Sequence, residues 1–220
     1  MSNVLLGASR VFATTDGADK FIKLVIGFLT VESTRDVAAK AHCANAAQHL
    51  AEARSFMRVG RVFNLVLKLL SLRDLFAAQG FKYTENKKFV EFVKTIFDLL
   101  FAVCDHVVVL AREGFVSASV GVARLARSTR VVQVLCHVLG VVHNLLDLRD
   151  AARRLVYDPP AAERACKIAG ISALRDVADA LVAVSFLGHA HNGWMLSVRS
   201  EGVLTFFSGA LSTYLCWKYS

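Results

Sequence analysis

Hydrophobic and polar residues alternate with helical spacing along this chain, most clearly between Leu50 and Ser71. With about 100° of rotation per residue, four cations of this segment fall within about 80° of arc. These cations are Arg54, Arg58, Arg61 and Lys68. Six apolar residues fall within about 100° on the opposite side, the width expected of an amphipathic helix. They are Phe56, Val59, Phe63, Val66, Leu67 and Leu70.

An amphipathic helix over 50–71 suits a membrane surface. Its cations can lie among anionic headgroups while its apolar side chains enter the acyl boundary. The alternative is a helix that turns its apolar stripe toward a protein core, and Leu65 and Leu72 also fall within the basic stripe. We predict that the ten residues of the two faces bind anionic phospholipid.

Two further helices are predicted before this segment. The first is capped by Asp16 or Asp19 and turns four apolar residues inward. These are Phe21, Leu24, Val25 and Phe28. The second runs from Arg35 to Arg54 or beyond and is expected to continue into the amphipathic segment, where Gly60 allows a bend because glycine weakens a helix.

Four later stretches are apolar enough to reach bilayer depth: 96–110, 131–146, 180–198 and 202–217. The first two contain ionisable residues, including Asp98, Asp105, His137 and His143. The last has sixteen residues without Asp, Glu, Lys or Arg and covers ~24 Å as a helix, a little under the ~30 Å of a hydrocarbon core. Ser208, Gly209 and Ser212 give it a small surface for helix–helix contact. We predict that it anchors the chain and promotes self-association.

Composition supports a membrane-associated, all-α protein. Hydrophobic residues make up 55% of the chain, charged residues 20%, and the mean hydropathy is +0.47, whereas soluble domains have ~25% charged residues. No strand-type alternation interrupts the helical pattern. The sequence therefore predicts an amphipathic helical region followed by hydrophobic membrane helices.

The net charge of +8 is concentrated in the N-terminal part. Residues 1–95 carry fourteen Lys and Arg against eight Asp and Glu, and residues 96–220 carry twelve against ten. This asymmetry predicts a cytosolic basic region over 1–95 and a membrane-associated region over 96–220. Because the cations share a helix with an apolar face, anionic lipid is a better partner than nucleic acid.

Sequence motifs for catalysis or metal binding are absent. The chain has no phosphate-binding glycine loop, no G-x-S-x-G, no C-x-x-C and no H-E-x-x-H. Its five cysteines are odd in number and widely spaced, which does not suggest a disulfide framework. We predict a protein without enzymatic activity, cofactor or metal.

Four segments resemble, in the same order, the peroxin-11 family of peroxisomal membrane proteins. They are residues 16–20 (DGADK), 53–61 (ARSFMRVGR), 105–114 (DHVVVLAREG) and the terminal 202–217. The resemblance implies a peroxisomal or glycosomal membrane protein with both termini in the cytosol. It also implies a homo-oligomer that elongates the organelle before division and works with the fission machinery. The compact length and the alanine-rich second helix are similar to glycosomal members from trypanosomatids.

Two other functions remain open at this level. A pore for small metabolites would place Asp98, Asp105, His137 and His143 along a lumen. A soluble helical scaffold would turn every apolar face inward.

Overall fold

The computed structural model describes residues 2–35, 39–79, 86–115, 121–191 and 193–219, and regular secondary structure within these ranges is entirely helical. The prediction of an all-α fold is confirmed. The helices are α1 (Ser2–Phe12), α2 (Thr15–Glu32), α3 (Lys40–Met57), α4 (Val59–Gln79), α5 (Asn86–Arg112), α6 (Val122–Arg154), α7 (Pro159–His191) and α8 (Val198–Tyr219).

The chain forms two compact units. The first comprises Met1–Arg58 with Leu174–Ser220, and the second comprises Val59–Ala173. In the first, α2 packs against α3 and α8, and α1 contacts α2 and α8. In the second, α5 packs against α4 and α6. The predicted boundary between residues 95 and 96 concerns position relative to a membrane and stays a prediction.

Close approach of α2 to α8 depends on glycine. A Cβ atom on Gly27 would lie 2.2 Å from the backbone nitrogen of Phe206, and one on Gly209 would lie 2.6 Å from the Cα atom of Leu24. Real side chains do not tolerate such distances, so any larger residue would push the helices apart. Small residues at helix crossings are characteristic of membrane helix packing.

The buried residues are mostly small or polar, and many large apolar residues lie outside. Ser185 and Ser208 are completely buried, and Asp179 and Glu201 are also buried. In contrast, Phe63 is 68% exposed. Large apolar side chains exposed in this number indicate an interaction site for a membrane or a partner protein.

The prediction that Phe21 and Phe28 of α2 face inward is wrong, because both side chains are exposed. The buried side of α2 instead carries Gly17, Asp19 and Gly27, which allow close packing and ion pairing. The helix is capped by Thr14, whose side chain accepts a hydrogen bond from the Gly17 amide at 3.1 Å.

Two other boundaries differ from the sequence prediction. The second helix begins at Lys40 rather than Arg35, and residues 36–38 lie outside the described ranges. The stretch 180–198 is not one helix, because α7 ends at His191 and residues 193–197 form a connection to α8. In this connection the Gly193 amide donates to the carbonyl of Gly188 at 3.0 Å.

By length and composition, α6 could cross a membrane, and it is the one helix of the described ranges that meets both criteria. It contains the predicted stretch 131–146. Its exposed apolar residues recur every three or four positions along one side. They are Val131, Leu135, Val138, Val142 and Leu145.

Candidate membrane-binding surface

The predicted amphipathic segment over 50–71 is divided between two helices. One helix, α3, ends at Met57, and α4 begins at Val59. The Arg58 amide donates to the carbonyls of Arg54 at 3.2 Å and Ser55 at 3.3 Å, which closes the last turn of α3. The interruption therefore lies at Arg58, two residues before the glycine at which the sequence allows a bend.

All six apolar residues predicted to bind membrane are exposed in the structure. On α3 this residue is Phe56, and on α4 they are Val59, Phe63, Val66, Leu67 and Leu70. Leu67 is 64% exposed, whereas Leu65 is only 8% exposed. Since α4 packs against α5, the helix has a buried apolar side with Leu65 and Leu72 and a second, exposed apolar side.

Three of the four predicted cations form ion pairs within the protein. The Arg54 guanidinium donates two hydrogen bonds to the Asp19 carboxylate, at 2.8 and 3.0 Å. Arg58 Nε lies 4.0 Å from Asp19 Oδ1. On α4, Lys68 pairs with Glu91 of α5 at 2.7 Å, while Arg61 is exposed.

Asp19 and Glu91, the partners of these cations, could not be predicted from the sequence. Asp19 lies 35 residues from Arg54, so no helical spacing connects them. The fold brings them together by packing α2 against α3. Of the four predicted cations, the two at the end of α3 are therefore paired with Asp19 of α2, and the two on α4 are more exposed.

A buried polar cluster joins three helices of the first unit. Lys23 Nζ of α2 lies 2.6 Å from each carboxylate oxygen of Asp179 on α7 and 2.6 Å from Ser208 Oγ on α8. The Ser208 hydroxyl donates to Asp179 at 2.5 Å. Burial lowers the pKa of Lys23 below the ordinary lysine value, although the charge of Asp179 opposes this shift.

Two of the small residues predicted for helix–helix contact, Ser208 and Gly209, lie against α2 of the same chain. Ser208, Gly209 and Ser212 are all buried, and Gly209 packs against the backbone of Leu24. Their use in self-association stays a prediction.

A second buried cluster connects α7 to the start of α8. The Ser185 hydroxyl donates to Glu201 Oε1 at 2.5 Å, and His189 Nε2 lies 3.1 Å from the same oxygen. The Leu196 amide donates to Ser185 Oγ at 2.8 Å. Because Ser185 is completely buried and bonded to a carboxylate, this arrangement fixes the α7–α8 connection and does not present a nucleophile.

Two of the acidic and histidine side chains considered for a pore are paired within the second unit. Asp98 pairs with Lys94 at 2.5 Å, one turn away on α5. His143 Nδ1 lies 3.3 Å from Asp147, which also pairs with Lys87 of α5. The Lys87–Asp147 pair connects α5 to α6, whereas the Lys94–Asp98 pair lies within α5.

Nearly the whole chain matches a known protein family. The family model for peroxisomal biogenesis factor 11 matches residues 7–217. No curated protein and no solved structure matches the chain.

Proposed function

This chain belongs to the peroxisomal biogenesis factor 11 family, and we propose that it bends and elongates the peroxisomal membrane before the organelle divides. The family places it in peroxisomal membrane biogenesis. The observation that supports the finer proposal is the apolar side of α4, which is exposed at Phe63, Val66, Leu67 and Leu70. This side would enter one leaflet of the membrane.

The balance of forces favours insertion through apolar side chains. Each fully buried Val, Leu or Phe side chain contributes ~1.5–3 kcal/mol, whereas each cation near an anionic surface contributes ~1 kcal/mol. Because Arg54 and Lys68 are already paired with Asp19 and Glu91, the cations contribute less at first contact than their number suggests. Insertion widens one leaflet, and many copies together would curve the membrane into a tubule.

The remaining parts of the proposal concern attachment and assembly. We propose that α6 attaches the chain to the bilayer, supported by its apolar length and by the exposed residues Val138 and Val142. Both termini would face the cytosol, copies of the chain would associate, and the fission machinery would act on the elongated membrane. A glycosomal location is part of the same proposal.

The two alternative functions have less support. A soluble scaffold would bury its large apolar residues, yet Phe63 and Leu67 lie largely outside. A pore within one chain would leave Asp98 and His143 facing a lumen, yet Asp98 is paired with Lys94 and His143 with Asp147.

Reconstitution of the full chain into vesicles of phosphatidylcholine and phosphatidylserine tests the proposal. Electron microscopy would measure the fraction of vesicles drawn into tubules. Phe63→Glu places a charge on the inserted side of α4 and should abolish tubulation. Asn64→Glu adds the same charge at the next exposed position and is the matched control.

We expect the control to form tubules as the unaltered chain does. Both substitutions lie at exposed positions, so helical content by circular dichroism should remain unchanged in both. If Phe63→Glu forms tubules as efficiently as Asn64→Glu, the apolar side of α4 does not drive membrane bending.

A further inference from the structure

One side of α6 carries apolar residues in its middle and arginines at both ends. With about 100° of rotation per residue, exposed residues along the whole helix fall within about 80° of arc. The apolar ones lie between Val131 and Leu145. Two arginines precede them and two follow them, and all four are exposed: Arg124, Arg127, Arg149 and Arg153. We call this side the α6 stripe.

The spacing of the four arginines matches a lipid bilayer. Arg127 and Arg149 lie ~33 Å apart along a helix, and the hydrocarbon core is ~30 Å thick. Arg124 and Arg153 lie ~44 Å apart, and a bilayer with its headgroups is ~40–45 Å thick. We propose that phospholipid phosphates bind one arginine pair in each leaflet, and that the two pairs fix the depth at which α6 crosses the membrane.

The guanidinium groups are accessible to such a ligand. Arg124, Arg127 and Arg153 are exposed and have no ion-pair partner within the described ranges. Arg149 lies 3.3 Å from the carboxylate of its neighbour Asp150, and its side chain is 50% exposed. A guanidinium binds two phosphate oxygens in a forked geometry. Each arginine can therefore hold a phosphate without any rearrangement of the helices.

The distribution of charge favours a helix that crosses the membrane over one that lies in its plane. A helix in the plane carries cations along its polar face, whereas α6 has no Lys or Arg between Arg130 and Arg149. Charges on its other sides are compensated by α5, because Arg130 interacts with Asp105 and Asp147 pairs with Lys87. The α6 stripe is the side that remains for lipid.

This inference rests on the proposed attachment of the chain through α6, and labelling of the reconstituted full chain tests it. Ser128→Cys and Ala152→Cys, introduced together, place thiols at exposed positions beside the two arginine pairs. In sealed vesicles of phosphatidylcholine and phosphatidylserine, a membrane-impermeant maleimide should label only one of these positions in each molecule. After detergent opens the vesicles, both should react. Peptide mapping by mass spectrometry distinguishes them from the five native cysteines.

The labelling rate at Ser128→Cys measures the depth of α6. Arg127→Leu lengthens the apolar part of the α6 stripe, so the helix should lie deeper and this rate should fall about fivefold, the effect of one cation near an anionic surface. Arg154→Leu is the matched control, because Arg154 is exposed but lies about 140° from the centre of the α6 stripe. It should leave the rate unchanged. In vesicles of digalactosyl diacylglycerol, which lacks phosphate, the slowing by Arg127→Leu should be largely lost.

Three results would overturn the inference. Labelling of both positions before detergent is added would show that α6 lies along one membrane surface. Equal rates for Arg127→Leu and Arg154→Leu would show that the arginines do not set the depth. Equal slowing in both lipids would show that water, and not phosphate, holds Arg127. Failure of the attachment itself is a separate result, because it would appear as resistance of Val138→Asp to alkaline carbonate.

Discussion

Lys23 Nζ lies 2.6 Å from both carboxylate oxygens of Asp179, and this pair joins α2 to α7 in the interior of the first unit. The desolvation of buried ions offsets much of their attraction. Consistent with this cost, burial lowers the pKa of Lys23. The pair thus specifies which helices meet more than it adds to the free energy of unfolding.

We predict strong coupling between these two residues. Lys23→Met leaves Asp179 buried without its cation and should destabilise the protein by about 3–5 kcal/mol. The double variant with Asp179→Asn removes both charges and should be more stable than the single variant. Unfolding by denaturant in detergent would measure the free energies of the unaltered chain, of each single variant and of the double variant. Additive losses would show that the two charges do not interact.

A second prediction separates the two apolar sides of α4. Leu65→Ala removes a buried side chain and should cost about 2–5 kcal/mol of unfolding free energy. Leu67→Ala removes a side chain that is 64% exposed and should change stability by less than about 0.5 kcal/mol. Among variants that fold, tubulation should show the opposite order. Leu67→Ala should form fewer tubules than Leu65→Ala. Equal destabilisation by both substitutions would contradict this assignment.

Alanine substitution at two helical glycines should have opposite effects. A Cβ atom on Gly209 would lie 2.6 Å from the backbone of Leu24, whereas one on Gly60 meets nothing within 4 Å. Gly209→Ala should therefore lower the melting temperature. Gly60→Ala should stabilise α4 by up to ~1 kcal/mol, because alanine favours a helix. Thermal unfolding followed by circular dichroism would compare them, and a stable Gly209→Ala would refute the close contact.

Attachment through α6 predicts a different pair of outcomes. Val138→Asp places a charge within the exposed apolar side of α6, whereas Ser128→Asp places one nearer the start of the same helix, where Arg124 and Arg127 are exposed. A charge at bilayer depth is costly. We expect Val138→Asp to be released by alkaline carbonate and Ser128→Asp to resist extraction. Resistance of both would exclude α6 as the attachment.

Sequence periodicity was sufficient for the features that depend on one helix at a time. The all-α fold follows from it, and so does the grouping of six apolar residues from Phe56 to Leu70 on one side of a helix. Periodicity cannot tell which of two apolar sides a protein buries. Helical periodicity alone therefore places Leu65 among the basic residues as an exception. In the structure, Leu65 belongs to the side of α4 that packs inward.

Contacts between distant segments could not be predicted in this way. Asp19 and Arg54 are 35 residues apart, and Lys23 and Ser208 are 185 residues apart. Their pairing depends on how α2 packs against α3 and α8, which no local spacing encodes. The same limit explains Phe21 and Phe28, whose inward placement assumed that α2 buries its large residues rather than its glycines and aspartate.

The pairing of α2 with α8 also constrains biosynthesis. Residues from Leu174 onward belong to the same unit as residues 1–58, so this unit cannot assemble until the ribosome has made α8. During that interval Gly27 has no Phe206 to pack against, and Lys23 has no Asp179. Contacts of such high sequence separation form slowly, and the apolar helices made meanwhile stay open to aggregation. The nascent unit should consequently depend on chaperones until α8 has been synthesised.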